Sequence, residues 1–395
     1  MKHELPETLS SYFSQETHYS EKTLAAVALS YVREHTDPVD HPLALAAIFD
    51  LVVASKFYRD VKPENWLWCE HGGHDFYPIL NTCPFCILEN RLVQHAGNKP
   101  SSGVIGPATS QAIREVFAAH YHFAGSKNIS IFCGVEPADL VVVDYQSKNI
   151  FIAEVKAAPL FTPPLAVKHS SSFSTGRTLP LKHSIGTLRG MEQQEVCLFL
   201  PMAGGKHFSW SIPKNGLGDP SWPESALIEA IKANPSSFHK YLESWKLLWE
   251  AYTCRDTTNP AFWFTGACGL PRDPGEGWPK TGDGKPKGTI SDGKTSVGMD
   301  RTDDIKKSTF QVLKLGVETR QIDLQDWSLK IGLASNLHAV RHYDDYLLPY
   351  ADIVWGWSEA SVSPNKWYNL YDGIVAFSKS HTRDKWLTDI TDWTR

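Results

Sequence analysis

The stretch PADLVVVDYQSKNIFIAEVKA at 137–157 limits the possible folds of this chain more than any other part of its sequence. Two runs rich in β-branched and aromatic residues, 141–143 and 150–152, flank a polar Gln-Ser-Lys-Asn segment. This composition is typical of a β-hairpin with a polar turn. The chain is therefore expected to contain a buried antiparallel strand pair here, with charged residues at its open end.

The register of that hairpin determines which charged residues meet. Antiparallel partners have residue numbers with a constant sum, so a turn centred on Gln146 and Ser147 places Asp139 directly across from Glu154. Lys156 follows on the same face as Glu154, roughly 6–7 Å further along the strand. Paired carboxylates at the end of an apolar sheet need compensation, which a divalent cation commonly supplies.

These residues resemble the signature of the PD-(D/E)XK nuclease superfamily. The matching positions are Pro137, Asp139, Glu154, Val155 and Lys156, although one alanine separates the proline from the aspartate where the family usually has them adjacent. The resemblance implies an α/β fold with a restriction-endonuclease-like core, in which a central mixed β-sheet is flanked by helices. It covers only about twenty residues, and the hairpin around the motif adds to its specificity.

The resemblance also implies an activity, that of a Mg²⁺-dependent, sequence-specific double-stranded DNA endonuclease similar to type II restriction enzymes. Asp139 and Glu154 would bind Mg²⁺, Lys156 would orient or deprotonate the attacking water, and the products would carry 5′-phosphate and 3′-hydroxyl ends. Glu115, on a helix predicted before the hairpin, would join the metal site, or it is a solvated surface residue. The alternatives are a repair or structure-selective nuclease, and a non-catalytic zinc-containing DNA-binding protein.

A second constellation lies in the window WLWCEHGGHDFYPILNTCPFC. The pair Cys83 and Cys86 has the two-residue spacing at which both sulfurs can face one metal, and Cys69 lies upstream. Either His71 or His74 can complete a tetrahedral set, and Cys-x-His spacing favours His71. In a reducing compartment such crowding indicates a metal before it indicates disulfides, so we expect one structural Zn²⁺.

The remaining sequence predicts the arrangement around these sites. Helices are expected at 22–34 and 43–58, and the region 1–100 is predicted to be a helical layer with a zinc-binding module. The catalytic core would span 101–395, with 157–300 as a DNA-recognition insertion. Asp304 and Lys306 form a second Asp-x-Lys, but they lie at the start of a predicted helix (after Arg301), whereas the chemistry needs alternate residues on a strand.

Composition bears on partners and location. The formal net charge is −5, so DNA phosphates would have to meet local basic patches. One such stretch between the hairpin and Glu192 lacks acidic residues and offers Lys168, Arg177, Lys182 and Arg189. No leader-like or bilayer-length apolar segment is evident, so a cytoplasmic location and no membrane association are expected. One catalytic cluster per chain also predicts a homodimer for cutting both strands.

Overall fold

The computed structural model describes most of the chain. It describes residues 5–61, 66–69, 74–89, 97, 100–168, 195–217, 219–266, 278, 280–285, 287, 297–357 and 367–395. The helices are α1 (Leu24–His35), α2 (His41–Phe57), α3 (Pro84–Leu88), α4 (Ser102–Phe123), α5 (Trp222–Ala233), α6 (Pro235–Thr253), α7 (Thr302–Thr319), α8 (Leu348–Ala351) and α9 (Lys385–Ile390). The strands are β1 (Phe13–Thr17), β2 (Leu67–Cys69), β3 (His74–Tyr77), β4 (Ile129–Gly134), β5 (Leu140–Asp144), β6 (Asn149–Val155), β7 (Leu165–Lys168), β8 (Glu195–Met202), β9 (Lys206–Ile212), β10 (Ser328–Ser335), β11 (Val354–Trp355), β12 (Tyr368–Asn369), β13 (Gly373–Ala376) and β14 (His381–Thr382).

A seven-stranded mixed sheet forms the centre of the fold. Its order is β1-β4-β5-β6-β10-β13-β14, in which β6, β10 and β13 run parallel and the other neighbours are antiparallel. The predicted α/β class with a large mixed sheet flanked by helices is confirmed. The expected helices at 22–34 and 43–58 are also confirmed, as α1 and α2.

Alternation along β5 and β6 sends successive side chains to opposite faces of this sheet. Phe151, Ala153 and Val155 pack in the same apolar core as the buried face of α4. Ile150 and Ile152 instead share a core with the buried residues of α7. The sheet is therefore enclosed by α4 on one face and by α7 on the other.

A second, five-stranded sheet has the order β2-β3-β7-β8-β9. Its strands β2 and β3 come from the predicted N-terminal module, whereas β7, β8 and β9 come from the predicted insertion at 157–300. The pairing of Tyr77 with Leu165 joins the two parts. The predicted boundary at residue 100 therefore does not separate two sheets.

The helix α2 is buried on nearly every side. It contacts α1, α4, α5 and α6. The helical stretch Pro38–Asp60 is long and apolar enough to cross a membrane, and 72% of its most apolar window is buried inside the protein. Judged by length and composition alone, the expectation that no apolar segment reaches bilayer length is therefore wrong. This helix is apolar on all sides because other helices enclose it.

Candidate functional site

The hairpin β5–β6 brings the predicted carboxylates together. Leu140 pairs with Ala153 and Asp144 with Asn149, so the constant sum of the predicted register is confirmed. One step further, the Asp139 backbone N–H donates to the carbonyl of Ala153 at 3.0 Å, and the Asp139 carboxylate accepts the Val155 N–H at 3.0 Å. Asp139 and Glu154 thus face each other at the open end of the hairpin.

Lys156 completes the cluster from the segment that follows β6. Its Nζ donates to Oε1 of Glu154, and its own backbone N–H donates to the carbonyl of Ala334 on β10 at 3.0 Å. The Lys156 side chain is 27% exposed, compared with 8% for that of Glu154. The ammonium therefore lies between a buried carboxylate and solvent.

Two residues that the sequence did not single out hold the Asp139 backbone in place. Gly134 ends β4, and its N–H donates to the Asp139 carbonyl at 3.0 Å. A Cβ at position 134 would lie 2.6 Å from the Ala138 carbonyl, so only glycine permits this approach. Arg114 of α4 donates to the same Asp139 carbonyl at 3.3 Å. Neither role has a local sequence signal, because both depend on which elements the fold places beside the hairpin.

The electrostatics of the cluster centre on Glu154. Burial, followed by the negative charge of Asp139, raises the pKa of Glu154 to about 7, and Lys156 offsets this only in part. A carboxyl group in this state titrates near neutral pH. A cation placed between the two carboxylates would remove the remaining repulsion.

This titration makes stability depend on pH in a defined direction. Because the pKa of Glu154 is raised from 4.5 to about 7, the unfolded chain loses this proton first. The free energy of unfolding should therefore fall as pH rises from about 4.5 to about 7, by roughly 3 kcal/mol, and then level off. Urea denaturation without added Mg²⁺ at several pH values measures this free energy of unfolding. The free energy of unfolding of the unsubstituted chain minus that of Glu154→Gln should fall over the same pH range. A difference that does not change with pH would contradict the prediction.

Glu115 lies on α4, whose buried face packs against the opposite face of the sheet from Glu154. Its carboxylate accepts from Lys56 Nζ at 3.1 Å and from Gln111 Nε2 at 2.7 Å. Lys56 is itself buried, so this ion pair links α2 to α4. The structure does not bring Glu115 into contact with the cluster of Asp139, Glu154 and Lys156, and its proposed part in metal binding stays a prediction.

The three predicted cysteines form a second cluster. The Sγ atoms of Cys69, Cys83 and Cys86 all lie within 4.8 Å of one another, and those of Cys69 and Cys86 are 3.5 Å apart. All three residues are buried. Two sulfurs bound to one tetrahedral Zn²⁺ lie ~3.8 Å apart. This buried cluster could therefore bind a metal such as zinc.

The remaining predicted site residues are only partly described. His74 lies directly across from Cys69 in the β2–β3 ladder, whereas His71 is outside the described residues. Lys168 is the last residue of β7. Arg177, Lys182 and Arg189 fall within 169–194, which is also outside the described residues.

Further polar residues gather where the parallel strands end. The segments after β6, β10 and β13 carry Lys156, His338 and Lys379, and parallel strands place these segments at one edge of the sheet. His338 Nδ1 lies 2.8 Å from the hydroxyl of Ser378, and Lys379 is exposed. Burial and the Lys379 charge lower the pKa of His338. The carboxyl edge of a parallel sheet is where α/β proteins usually bind ligands.

Comparison of the chain with protein families, with curated proteins and with solved structures found no match.

Proposed function

We propose that this protein is a Mg²⁺-dependent, sequence-specific endonuclease of double-stranded DNA with a restriction-endonuclease-like core. The proposal rests on one observation. Asp139 and Glu154 face each other at the open end of the β5–β6 hairpin, and Lys156 Nζ donates a hydrogen bond to Glu154. The buried carboxylate of Glu154 and the partly buried carboxylate of Asp139 repel each other, which suits a divalent cation, and the partly exposed ammonium suits a water molecule beside it. The resemblance noted from sequence gives these three residues the same roles.

The proposed roles follow from position and charge. Asp139 and Glu154 would hold Mg²⁺, which when bound stabilises negative charge on the phosphate and lowers the pKa of a bound water. Lys156 would orient that water as the ammonium, with the proton of the water passing to solvent, or would take up this proton as the neutral amine. The water oxygen then forms the new bond to phosphorus while the bond to the 3′ oxygen breaks, and the departing oxygen takes up a proton. These steps leave 5′-phosphate and 3′-hydroxyl ends.

Two features support a DNA substrate. Lys156 and Lys379 lie at the same sheet edge as the carboxylates, where they would contact backbone phosphates rather than specify bases. The predicted DNA-recognition insertion at 157–300 would add phosphate contacts from Lys168, Arg177, Lys182 and Arg189. A repair or structure-selective nuclease uses the same chemistry, so the choice of substrate has to be tested directly.

We also propose that the cysteine cluster binds one structural Zn²⁺. Cys69, Cys83 and Cys86 supply three ligands, and either His71 or His74 supplies the fourth. The backbone of His74 pairs with that of Cys69 in the β2–β3 ladder, whereas the Cys-x-His spacing favours His71. A complete set of protein ligands leaves no position for substrate water, so this metal would brace the five-stranded sheet.

The nuclease proposal is tested with purified protein, Mg²⁺ and a panel of substrates. We expect discrete fragments from long double-stranded DNA of diverse sequence, and no cleavage when chelator replaces Mg²⁺. Preferential cleavage of branched or damaged DNA would instead identify a structure-selective enzyme. Binding to DNA without cleavage of any substrate would favour the non-catalytic alternative.

A further inference from the structure

A cavity of about 780 Å³ lies at the end of the seven-stranded sheet that is opposite the cluster of Asp139, Glu154 and Lys156. Its wall includes Asp144 and Gln146 at the turn of the β5–β6 hairpin, and the segment between α4 and β4. Because a strand rises about 3.3 Å per residue, Asp144 lies about 17 Å from Asp139. The cavity has the volume of a small-molecule site and is separate from the proposed nuclease site.

His120 of α4 lines this cavity although it is only 2% exposed. Its Nδ1 lies 3.4 Å from Nη2 of Arg33 on α1. A guanidinium can only donate hydrogen bonds, so Nδ1 accepts and the neutral ring carries its proton on Nε2. Burial, followed by the charge of Arg33, lowers the pKa of His120 to about 3, which keeps the ring neutral. The Nε2 N–H is therefore a buried donor on the side of the ring away from Arg33.

Arg33 carries a positive charge that no carboxylate in the described part of the chain pairs with. Its Nε is buried without a hydrogen-bond partner. Burial also lowers the pKa of Arg33, as desolvation of a cation does. A partly buried cation without a counter-charge is costly, and an anion bound to His120 Nε2 would offset part of that cost.

Two carboxylates of the cavity wall already have partners. Asp144 accepts from the indole N–H of Trp386 at 2.9 Å, and Asp392 pairs with Arg395 at 3.0 Å. Their negative charge is therefore partly compensated and opposes a bound anion only weakly.

Two exposed charges of the cavity wall remain unpaired. Lys127 precedes β4 and Asp389 belongs to α9, and neither forms an ion pair within the described residues. They offer one cation and one anion at the solvent side of the cavity. At its buried side the only charge beside His120 that lacks a counter-charge is that of Arg33, which favours an anionic group there.

We propose that this cavity binds a small organic molecule through a carboxylate or phosphate group that accepts a hydrogen bond from His120 Nε2. Lys127 attracts the same group from the solvent side. A phosphate within duplex DNA cannot reach a residue as deeply buried as His120, so the ligand is a free small molecule. The site does not depend on the proposed nuclease function.

Isothermal titration calorimetry of the full chain with three related probes tests the class of ligand. Benzoate and phenyl phosphate carry the two oxyanions on the same ring, and benzamide is the neutral analogue of benzoate. We expect at least one of the anions to bind about tenfold or more tightly than benzamide, because hydrogen bonds to a charged acceptor are the stronger ones. The tighter of the two anions identifies the oxyanion. Equal binding of all three probes, or binding of none, would overturn the proposal.

Substitutions at the solvent side test the sign of the ligand's charge. Lys127→Gln should weaken the binding of the preferred anion by about threefold, and Asp389→Asn should strengthen it by a similar factor, as is usual for exposed charges. The matched control Lys240→Gln removes an exposed lysine of α6 that does not line the cavity, and it should leave the affinity unchanged. Changes of the opposite sign in Lys127→Gln and Asp389→Asn would reject an anion site.

The variant His120→Phe tests the buried donor. Phenylalanine keeps a ring that can pack edge-on against Trp393 but has no N–H, so the affinity should fall by about tenfold or more. Circular dichroism verifies folding, and an unchanged affinity in the folded variant would overturn the assignment. If His120→Phe does not fold, the signs of the changes in Lys127→Gln and Asp389→Asn decide the proposal.

Discussion

Replacing Lys156 by alanine is expected to lower the rate of Mg²⁺-dependent DNA cleavage by about a thousandfold while leaving the fold intact. The ammonium is partly exposed beside Glu154, so its removal takes away the group that orients water without opening a cavity in the core. Asp139→Asn should reduce cleavage at least as much, because the amide cannot supply negative charge to Mg²⁺. Single-turnover cleavage at saturating DNA measures both effects, and circular dichroism verifies folding.

The matched controls lie at the other end of the same hairpin. Lys148 and Asp326 form an ion pair at 3.0 Å near the turn, away from the open end. Lys148→Gln and Asp326→Asn remove the same types of charge and should leave the cleavage rate within about twofold, as is usual for exposed pairs. Full activity in Asp139→Asn would show that another carboxylate holds the metal. Equal losses in all four variants would point to a general effect of charge on DNA binding.

Replacing Cys83 by serine is expected to abolish stoichiometric zinc binding and to lower the free energy of unfolding by more than about 4 kcal/mol. The Sγ of Cys83 belongs to the buried three-sulfur cluster, and metal binding to such a cluster contributes directly to folding. Elemental analysis of protein purified without chelator should give one zinc per chain. Guanidinium denaturation measures the loss of stability in the variant.

Cys197 offers the matched control for this experiment. It is buried in the same small apolar cluster as Cys69, Cys83 and Cys86, but it lies on β8 and donates to the carbonyl of Ala166 at 3.4 Å. Cys197→Ser should retain zinc and lose at most about 1–3 kcal/mol. A similar zinc content and stability for both variants would contradict the proposed metal centre. If zinc is present, the variant that loses it among His71→Ala and His74→Ala identifies the fourth ligand.

The β5–β6 hairpin could be predicted from sequence because its pairing is local. The constant sum of residue numbers needs only the position of the turn, so Asp139 and Glu154 could be paired without any tertiary information. The placement of Glu115 could not be predicted in this way, since helix periodicity does not reveal which face of a sheet a helix will cover. The contacts of Gly134 and Arg114 with Asp139 could not be predicted either, because they also depend on tertiary structure.

The five-stranded sheet was missed for a related reason. Its β3–β7 pairing joins Tyr77 to Leu165, and no pattern in either short strand identifies a partner so distant in the chain. The burial of α2 on nearly every side was also missed, because it depends on the packing of α1, α4, α5 and α6 around this helix. In the structure the Asp50 carboxylate accepts from the Phe161 N–H and the Trp245 indole, and Lys56 pairs with Glu115.

The two sheets differ in how they can assemble during folding. The β5–β6 ladder closes over a short turn between Asp144 and Asn149, which costs little chain entropy and allows rapid formation. The ladder from Tyr77 to Leu165 must first enclose the whole of α4 and the hairpin itself. Asp139 and Glu154 can therefore meet before the five-stranded sheet closes. The order of assembly implied by this topology is the β5–β6 hairpin first and the five-stranded sheet later, so a slow step in refolding would affect the second sheet more than the first.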